Sequence, residues 1–285
     1  MPEEAELALG RPRFLPRIDA GLGEAVACVG VLLFLNGVTR MVVDHVSTHG
    51  FLPSLSATFG ISAIVWASAC AGLALLLREP GPAMTPNDRR ACAIAFAACL
   101  APMESACWIA LAALSAYAVR RSPPGSDTHR GAWIMLGVTV PVFWSKAIFF
   151  ALSDQLLTVD AVLASTMLWS DRAGNTVRLA DDSGFLWIAP ACSSFANVSL
   201  GVLAWIAILR WRGLAPTRRR FAWCLLAIAG VVLVNGIRIA LIGHFPAWYE
   251  FLHNGFGATV TGWVTLAVIL ATCSHGIGHG DRVAP

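Results

Sequence analysis

Apolar residues run along this chain in long blocks. Six of these are unbroken: 24–43, 59–77, 131–152, 191–209, 221–241 and 256–273. Each holds about 18 to 22 residues, the length at which a helix rising 1.5 Å per residue crosses about 30 Å of hydrocarbon. A seventh stretch, 91–119, is rich in apolar residues but broken near its middle by Pro102 and Glu104. One straight helix there would place a proline and a carboxylate at mid-membrane, a costly position for both. The pattern predicts instead two short helices that turn at 102–105, tilted or set where the bilayer thins.

The helical pattern gives way between 153 and 190. There, 176–180 and 185–189 flank Asp181, Asp182, Ser183 and Gly184. Two apolar runs around such a turn predict a β-hairpin, closed off by Pro190 just before the next helix. A lone hairpin is only marginally stable, so it is expected to pack on the helices.

Charge sets the topology. With 91–119 counted as two passes there are eight spans, and both termini face the cytoplasm. The inside segments then hold Arg11, Arg13, Arg17, Arg78, Arg89, Arg90, Arg120, Arg121, Arg130, Arg210, Arg212, Arg218, Arg219, Arg220 and Arg282, fifteen of the 20 basic residues. Outside segments keep Arg172 and Arg178, while Arg40, Lys146 and Arg238 fall within spans. One pass through 91–119 would put an arginine-bearing segment outside, so the positive-inside rule favours eight. The expected organisation is a cytoplasmic segment at 1–23, a multi-pass domain at 24–275 with 153–190 outside, and a cytoplasmic tail at 276–285. Nothing near the first block reads as a cleavage site, so that block is expected to be a retained span of a protein of the cell membrane.

Composition narrows the function. Apolar residues make up 57% and charged residues 13%, about half the roughly 25% charged share of a soluble domain. Mean hydropathy is +0.68. A net charge of +3, with arginines at block ends, argues against nucleic acid as a partner. Most of the eight cysteines lie inside apolar runs, where a thiol behaves as a small hydrophobe and not as a disulfide framework.

Three side chains with reactive or fixed-charge chemistry fall on the outer side of this topology. Cys192 follows Pro190 and Ala191 and is expected in the first turn of its helix, where backbone N–H groups and the helix dipole favour thiolate. Arg238 lies near the outer end of its span and cannot be neutralised there. His253 lies in the outer segment 242–255, with His244 as its rival. A thiol nucleophile, a proton-transferring imidazole and a fixed cation are the parts that acyl transfer requires. Arg238 could instead pair with Glu250 or Asp182, or snorkel to lipid phosphates. Arg40 and Lys146, near outer span ends, could touch substrate or snorkel, and Glu104 could be functional at its turn. Cys92, Cys99 and Cys107 read as small packing residues, with a disulfide involving Cys99, Cys107 or Cys192 left open. His275 and His279 stand four apart, in a glycine-rich tail that is a poor helix former.

Ala191-Cys192-Ser193-Ser194, Asn235-Gly236-Ile237-Arg238 and His253-Asn254-Gly255-Phe256-Gly257 together resemble the exosortase/archaeosortase family of multi-pass membrane proteins, over roughly 85–275. The resemblance implies a cysteine transpeptidase or protease acting on exported proteins that carry a C-terminal signal, namely a short motif, a transmembrane helix and a basic cluster. It implies Cys192 as nucleophile, His253 as proton shuttle and Arg238 as stabiliser of the tetrahedral intermediate. No metal or organic cofactor is implied, and the acyl acceptor stays unassigned. Ser194 stands where the family pattern has glycine. Asn235, Trp187 and Arg40 are expected to contact substrate, and lipids to surround the whole. The rival readings are a transporter or channel with Glu104, Lys146 and Arg238 along a polar path, and a non-catalytic scaffold whose outer hairpin docks a partner.

Overall fold

The computed structural model describes residues 21–101 and 103–278, and helix fills most of them. In chain order the helices are α1 (Leu22–His49), α2 (Phe51–Ser56), α3 (Ala63–Arg78), α4 (Pro86–Ala97), α5 (Glu104–Arg121), α6 (Asp127–Thr139), α7 (Ser145–Leu168), α8 (Phe195–Trp211), α9 (Arg218–His244), α10 (Tyr249–His253) and α11 (Phe256–Gly278). Four stretches are long and apolar enough to cross a membrane: α1, the α6–α7 rod, α9 and α11. α3 and α8 are apolar but shorter. α4 and α5 form the helical hairpin expected at 91–119, though α4 starts earlier, where Thr85 accepts from the Asp88 backbone while the Asp88 carboxylate bonds back to Thr85. Pro102 itself, the segment 1–20 and the end of the chain from His279 onward lie outside the described residues.

Two departures from expectation have local causes. The block at 131–152 does not end at 152: α6 runs on through a π-helical turn at Val140–Trp144, around Pro141, into α7. Proline removes a helix donor and crowds the preceding turn, and a π-turn absorbs that insertion. The 42 residues of the rod would measure about 63 Å if straight, twice a hydrocarbon core. Leu152 breaks the line with non-helical angles (φ −127°, ψ 23°), and 153–168, expected to lie in an open outer segment, is the second arm of this bent helix. The other departure is α11, which stays helical through Gly278 despite its glycines. His275 there sets its ring edge-on against Trp223, 5.0 Å between centroids.

The predicted hairpin is present and gains a third strand. β1 (Arg172–Ala173), β2 (Thr176–Arg178) and β3 (Phe185–Trp187) pair antiparallel in that order, with Val177 opposite Leu186. Ser183 donates through its hydroxyl (2.6 Å) and its backbone N–H (3.0 Å) to Asp181, which fixes the turn and holds that carboxyl below the ordinary range. Ala180 donates to the Gly243 carbonyl at the end of α9 (3.1 Å), anchoring the turn to the helices.

Two main apolar cores result, beside a small cluster of Leu75, Ile134 and Ala207. The larger joins α1, α3, α5 and α6 through residues such as Leu33, Leu76, Leu111 and Met135. The smaller brings Leu157, Ala161 and Ala164 of α7 together with Val177, Ile188, Cys192 and Ile239 of α9. The second core depends on a close α7–α9 crossing. A Cβ on Gly236 would lie 2.5 Å from Leu163, and one on Gly243 2.5 Å from Leu168. The smallest side chain is required at both positions. Gly236→Val should therefore lower stability by about 1–3 kcal/mol through overpacking, read as a lower midpoint in thermal unfolding of the detergent-solubilised protein.

Candidate active site

Cys192 ends a short 3-10 turn, Pro190–Cys192, three residues ahead of α8. It is therefore not in the first turn of an α-helix, as expected from sequence, and the dipole argument for its ionisation loses its geometric basis. The turn arises because Pro190, with no N–H and a fixed φ, starts it, and Cys192 N–H closes it on Ala189 O at 2.8 Å. The next three backbone donors are also used. Ser193 N–H bonds Pro190 O (3.2 Å), Ser194 N–H bonds Asp160 Oδ2 (3.1 Å), and Phe195 N–H bonds Ser193 Oγ (3.3 Å).

Asp160 falls in the 153–190 segment expected outside, where nothing in the sequence singled it out. It is 1% exposed, on the second arm of α7, and its other oxygen has no partner among the described residues. The signal available was a single carboxylate between Val159 and Ala161 in an apolar run. From the opposite side, Asn235 of α9 donates its Nδ2 to the Cys192 carbonyl at 2.8 Å. Asn235 is 3% exposed, so its amide holds the Cys192 loop and is turned inward, not toward the surface where it was expected to contact substrate. Two buried polar side chains on two tightly crossed helices thus grip the loop at both ends.

The Cys192 sulfur meets His253: Sγ to Nε2 is 3.3 Å. The other ring nitrogen, Nδ1, lies 2.8 Å from Asn254 Oδ1, and Asn254 Nδ2 donates to Glu250 Oε2 at 3.0 Å. The ionised Glu250 carboxylate can only accept, so the Asn254 amide turns its NH2 toward Glu250 and its oxygen toward the ring. Nδ1 then carries the proton and Nε2 presents its lone pair to the thiol, the tautomer a general base needs. The Tyr249 ring stacks on the imidazole at 4.8 Å and 10° between planes, limiting its rotation. The glycines after the histidine let the chain turn back tightly: a Cβ at Gly257 would be 2.8 Å from the Phe251 ring. His244 is elsewhere, its ring edge-on to Phe245.

Arg238 follows Asn235 by three residues, on the same side of α9. Its Nε donates to the carbonyl of Leu252, the neighbour of His253, at 3.1 Å. Its terminal NH2 groups have no partner among the described residues. The carboxylates proposed as alternatives are taken: Asp182 by Arg178 at 3.0 Å, Glu250 by Asn254. The N–H groups of 192–195 are all bonded, while the guanidinium, held on the carbonyl next to His253, keeps N–H donors without a partner among the described residues.

Trp187 stands on β3, 60% exposed, five residues before Cys192. Arg40 does not join the site. It pairs loosely with Asp44 (3.8 Å) and lines a separate polar cavity of about 500 Å³ with Asn36, Glu104 and Cys107, between α1 and the α4–α5 turn. That cavity contains neither Lys146 nor Arg238. All eight cysteines are free thiols.

No protein-family model matches the chain, and no curated protein or solved structure matches it.

Two measurements probe this geometry. Asp160→Leu leaves a buried N–H without an acceptor and should cost about 1–3 kcal/mol in unfolding free energy. Asn254→Ala should slow iodoacetamide alkylation of Cys192 at neutral pH about tenfold, since a ring free to flip or change tautomer is a poorer base. Peptide mapping by mass spectrometry reads that rate apart from the other thiols.

Proposed function

We propose that the protein is a membrane-embedded cysteine transpeptidase or endopeptidase of the exosortase/archaeosortase kind. It would cut the C-terminal sorting signals of exported proteins at the outer membrane–water boundary. One observation carries the reading: the 3.3 Å contact between Cys192 Sγ and His253 Nε2, in a loop whose own backbone donors are all engaged. The eight-pass topology belongs to this proposal. α3, α8 and the two arms of the α4–α5 hairpin supplement the four long crossings, and the positive-inside count sets Cys192, Arg238 and His253 outside.

In the reaction, His253 Nε2 takes the thiol proton and the Cys192 thiolate adds to the scissile carbonyl carbon. The carbonyl π electrons move to oxygen, and the negative charge faces the unpartnered NH2 groups of Arg238, a donor held in place by its bond to Leu252 O. Collapse of the adduct breaks the C–N bond. The imidazolium returns its proton to the leaving nitrogen, and a thioester remains on Cys192. An amine or hydroxyl acceptor then gives transpeptidation, and water gives hydrolysis.

The sheet supplies a way to hold an extended substrate. Ile188 N–H bonds Asn175 O and Leu179 N–H bonds Gly184 O, so in antiparallel alternation Phe185 and Trp187 turn their backbone groups away from β2. β3 is an edge strand, open to strand addition by a peptide. A channel reading finds less support, because the polar cavity at Glu104 does not reach Lys146 or Arg238.

The test is co-expression with an exported substrate bearing such a signal. Cys192→Ala should abolish processing at equal protein level. His253→Ala and Arg238→Gln should each lower it about 10²–10³-fold, the size expected for losing a general base or an oxyanion donor. Undiminished cleavage by Cys192→Ala would refute the nucleophile assignment.

A further inference from the structure

Away from the cysteine, two adjoining cavities of about 630 and 350 Å³ lie between α3, α8 and α11 and share Ala63, Ile64 and Leu266. Their lining runs from Asn197 to Arg212 along α8 and from Thr259 to Ser274 along α11. At 1.5 Å per residue the groove is about 22 Å long. Alanines, among them Ala67 and Ala204, line a wall where larger side chains would fill the space. Ser62, Asn197 and Thr259 lie at one end of the mainly apolar lining, and Trp211 and Arg212 close the other.

Arg212 is exposed and forms no ion pair or side-chain hydrogen bond with another described residue. Arg218 and Arg219, both exposed, follow at the start of α9. Asp127 reaches this end through Arg130, which also caps the Arg210 carbonyl, but Asp127 is already paired with Arg130 and Arg78. The groove therefore offers a largely apolar slot about 22 Å long, ending beside an indole in positive charge that no carboxylate among the described residues is seen to pair.

We propose that this groove is a binding site for an anionic phospholipid, with an acyl chain along α8 and α11 and the phosphate at Arg212. A guanidinium presents a planar fork that matches phosphate oxygens, and basic pockets between membrane helices take anionic headgroups. Tryptophan at the same level suits the headgroup boundary. Charge selects this occupant over a helix from another chain. Crossing helices tend to carry their basic residues on the same side of the membrane, which here would set like charge against Arg212, Arg218 and Arg219. The proposal does not depend on the catalytic reading, because lipid retention is measured without substrate.

The test is native mass spectrometry of the detergent-solubilised full chain, titrated with dioleoyl phosphatidylglycerol or with phosphatidylcholine of the same chains. Phosphatidylglycerol should be retained in preference. Arg212→Gln should weaken it about fivefold, which is about 1 kcal/mol, with little change for phosphatidylcholine. Ala67→Phe, at an exposed position facing the groove, should remove retention of both lipids while the melting temperature measured without lipid holds. Arg89→Gln, on α4 and away from the groove, should change neither. Benzoylphenylalanine placed at Ala67 and irradiated in native membranes should yield an adduct of phospholipid mass. Equal retention of the two lipids, indifference to both Arg212→Gln and Ala67→Phe, or an adduct of peptide mass would each overturn the assignment.

Discussion

A buried backbone N–H must find an acceptor, and in hydrocarbon there is no water to supply one. Around Cys192 that requirement shapes everything nearby. The four donors from Cys192 to Phe195 go to Ala189, Pro190, Asp160 and Ser193. Only the third needs a distant partner, and supplying it brings a carboxylate from α7 into the interior. For Asp160 and Asn235 to reach the same loop, α7 and α9 must cross closely, which is why Gly236 and Gly243 meet Leu163 and Leu168 with no room for a methyl group. The sheet rests on the same crossing through Val177 and Ile188.

This arrangement separates a fixed half of the site from a tunable half. The sulfur's backbone is pinned from two helices. The imidazole sits on the short α10, where Asn254 meets one ring nitrogen and Tyr249 the ring face, and Cys192 itself meets the other nitrogen. Arg238 bridges the halves, because it grows from the pinned helix and bonds the carbonyl just before His253. In the reaction proposed above, a fixed sulfur and an adjustable imidazole would suit a proton that passes from the thiol to the ring and then to a leaving nitrogen.

Much of the helical pattern could be read from apolar block length, and the β-hairpin from its turn residues. Side chains that act only through tertiary contact could not be read this way. Asp160 passed unnoticed because nothing in Val159-Asp160-Ala161 says that a loop thirty-four residues later needs an acceptor. Asn235 was legible as part of a short motif, but its amide's destination was not. The second arm of the rod was also hidden, since the apolar block stops at Leu152 and Ser153, Asp154 and Gln155 read as the start of an outer segment although the helix continues through them. Cys192, Arg238 and His253 stood out because charged or reactive groups at span ends are rare enough to notice, whereas Arg40 stood out for the same reason and lies in another cavity.

The free edge of β3 has a direction as well as a position. β3 runs from Phe185 toward Cys192, so a peptide that pairs with it and delivers its C-terminal end to the sulfur must lie parallel to β3, its hydrogen bonds slanted instead of square. In the reaction proposed above, cleavage would then leave the acyl portion registered on the sheet while the amine portion, holding none of those bonds, diffuses into the bilayer. Such an asymmetry would keep the thioester docked for whichever acceptor arrives and make reversal by the departed fragment rare.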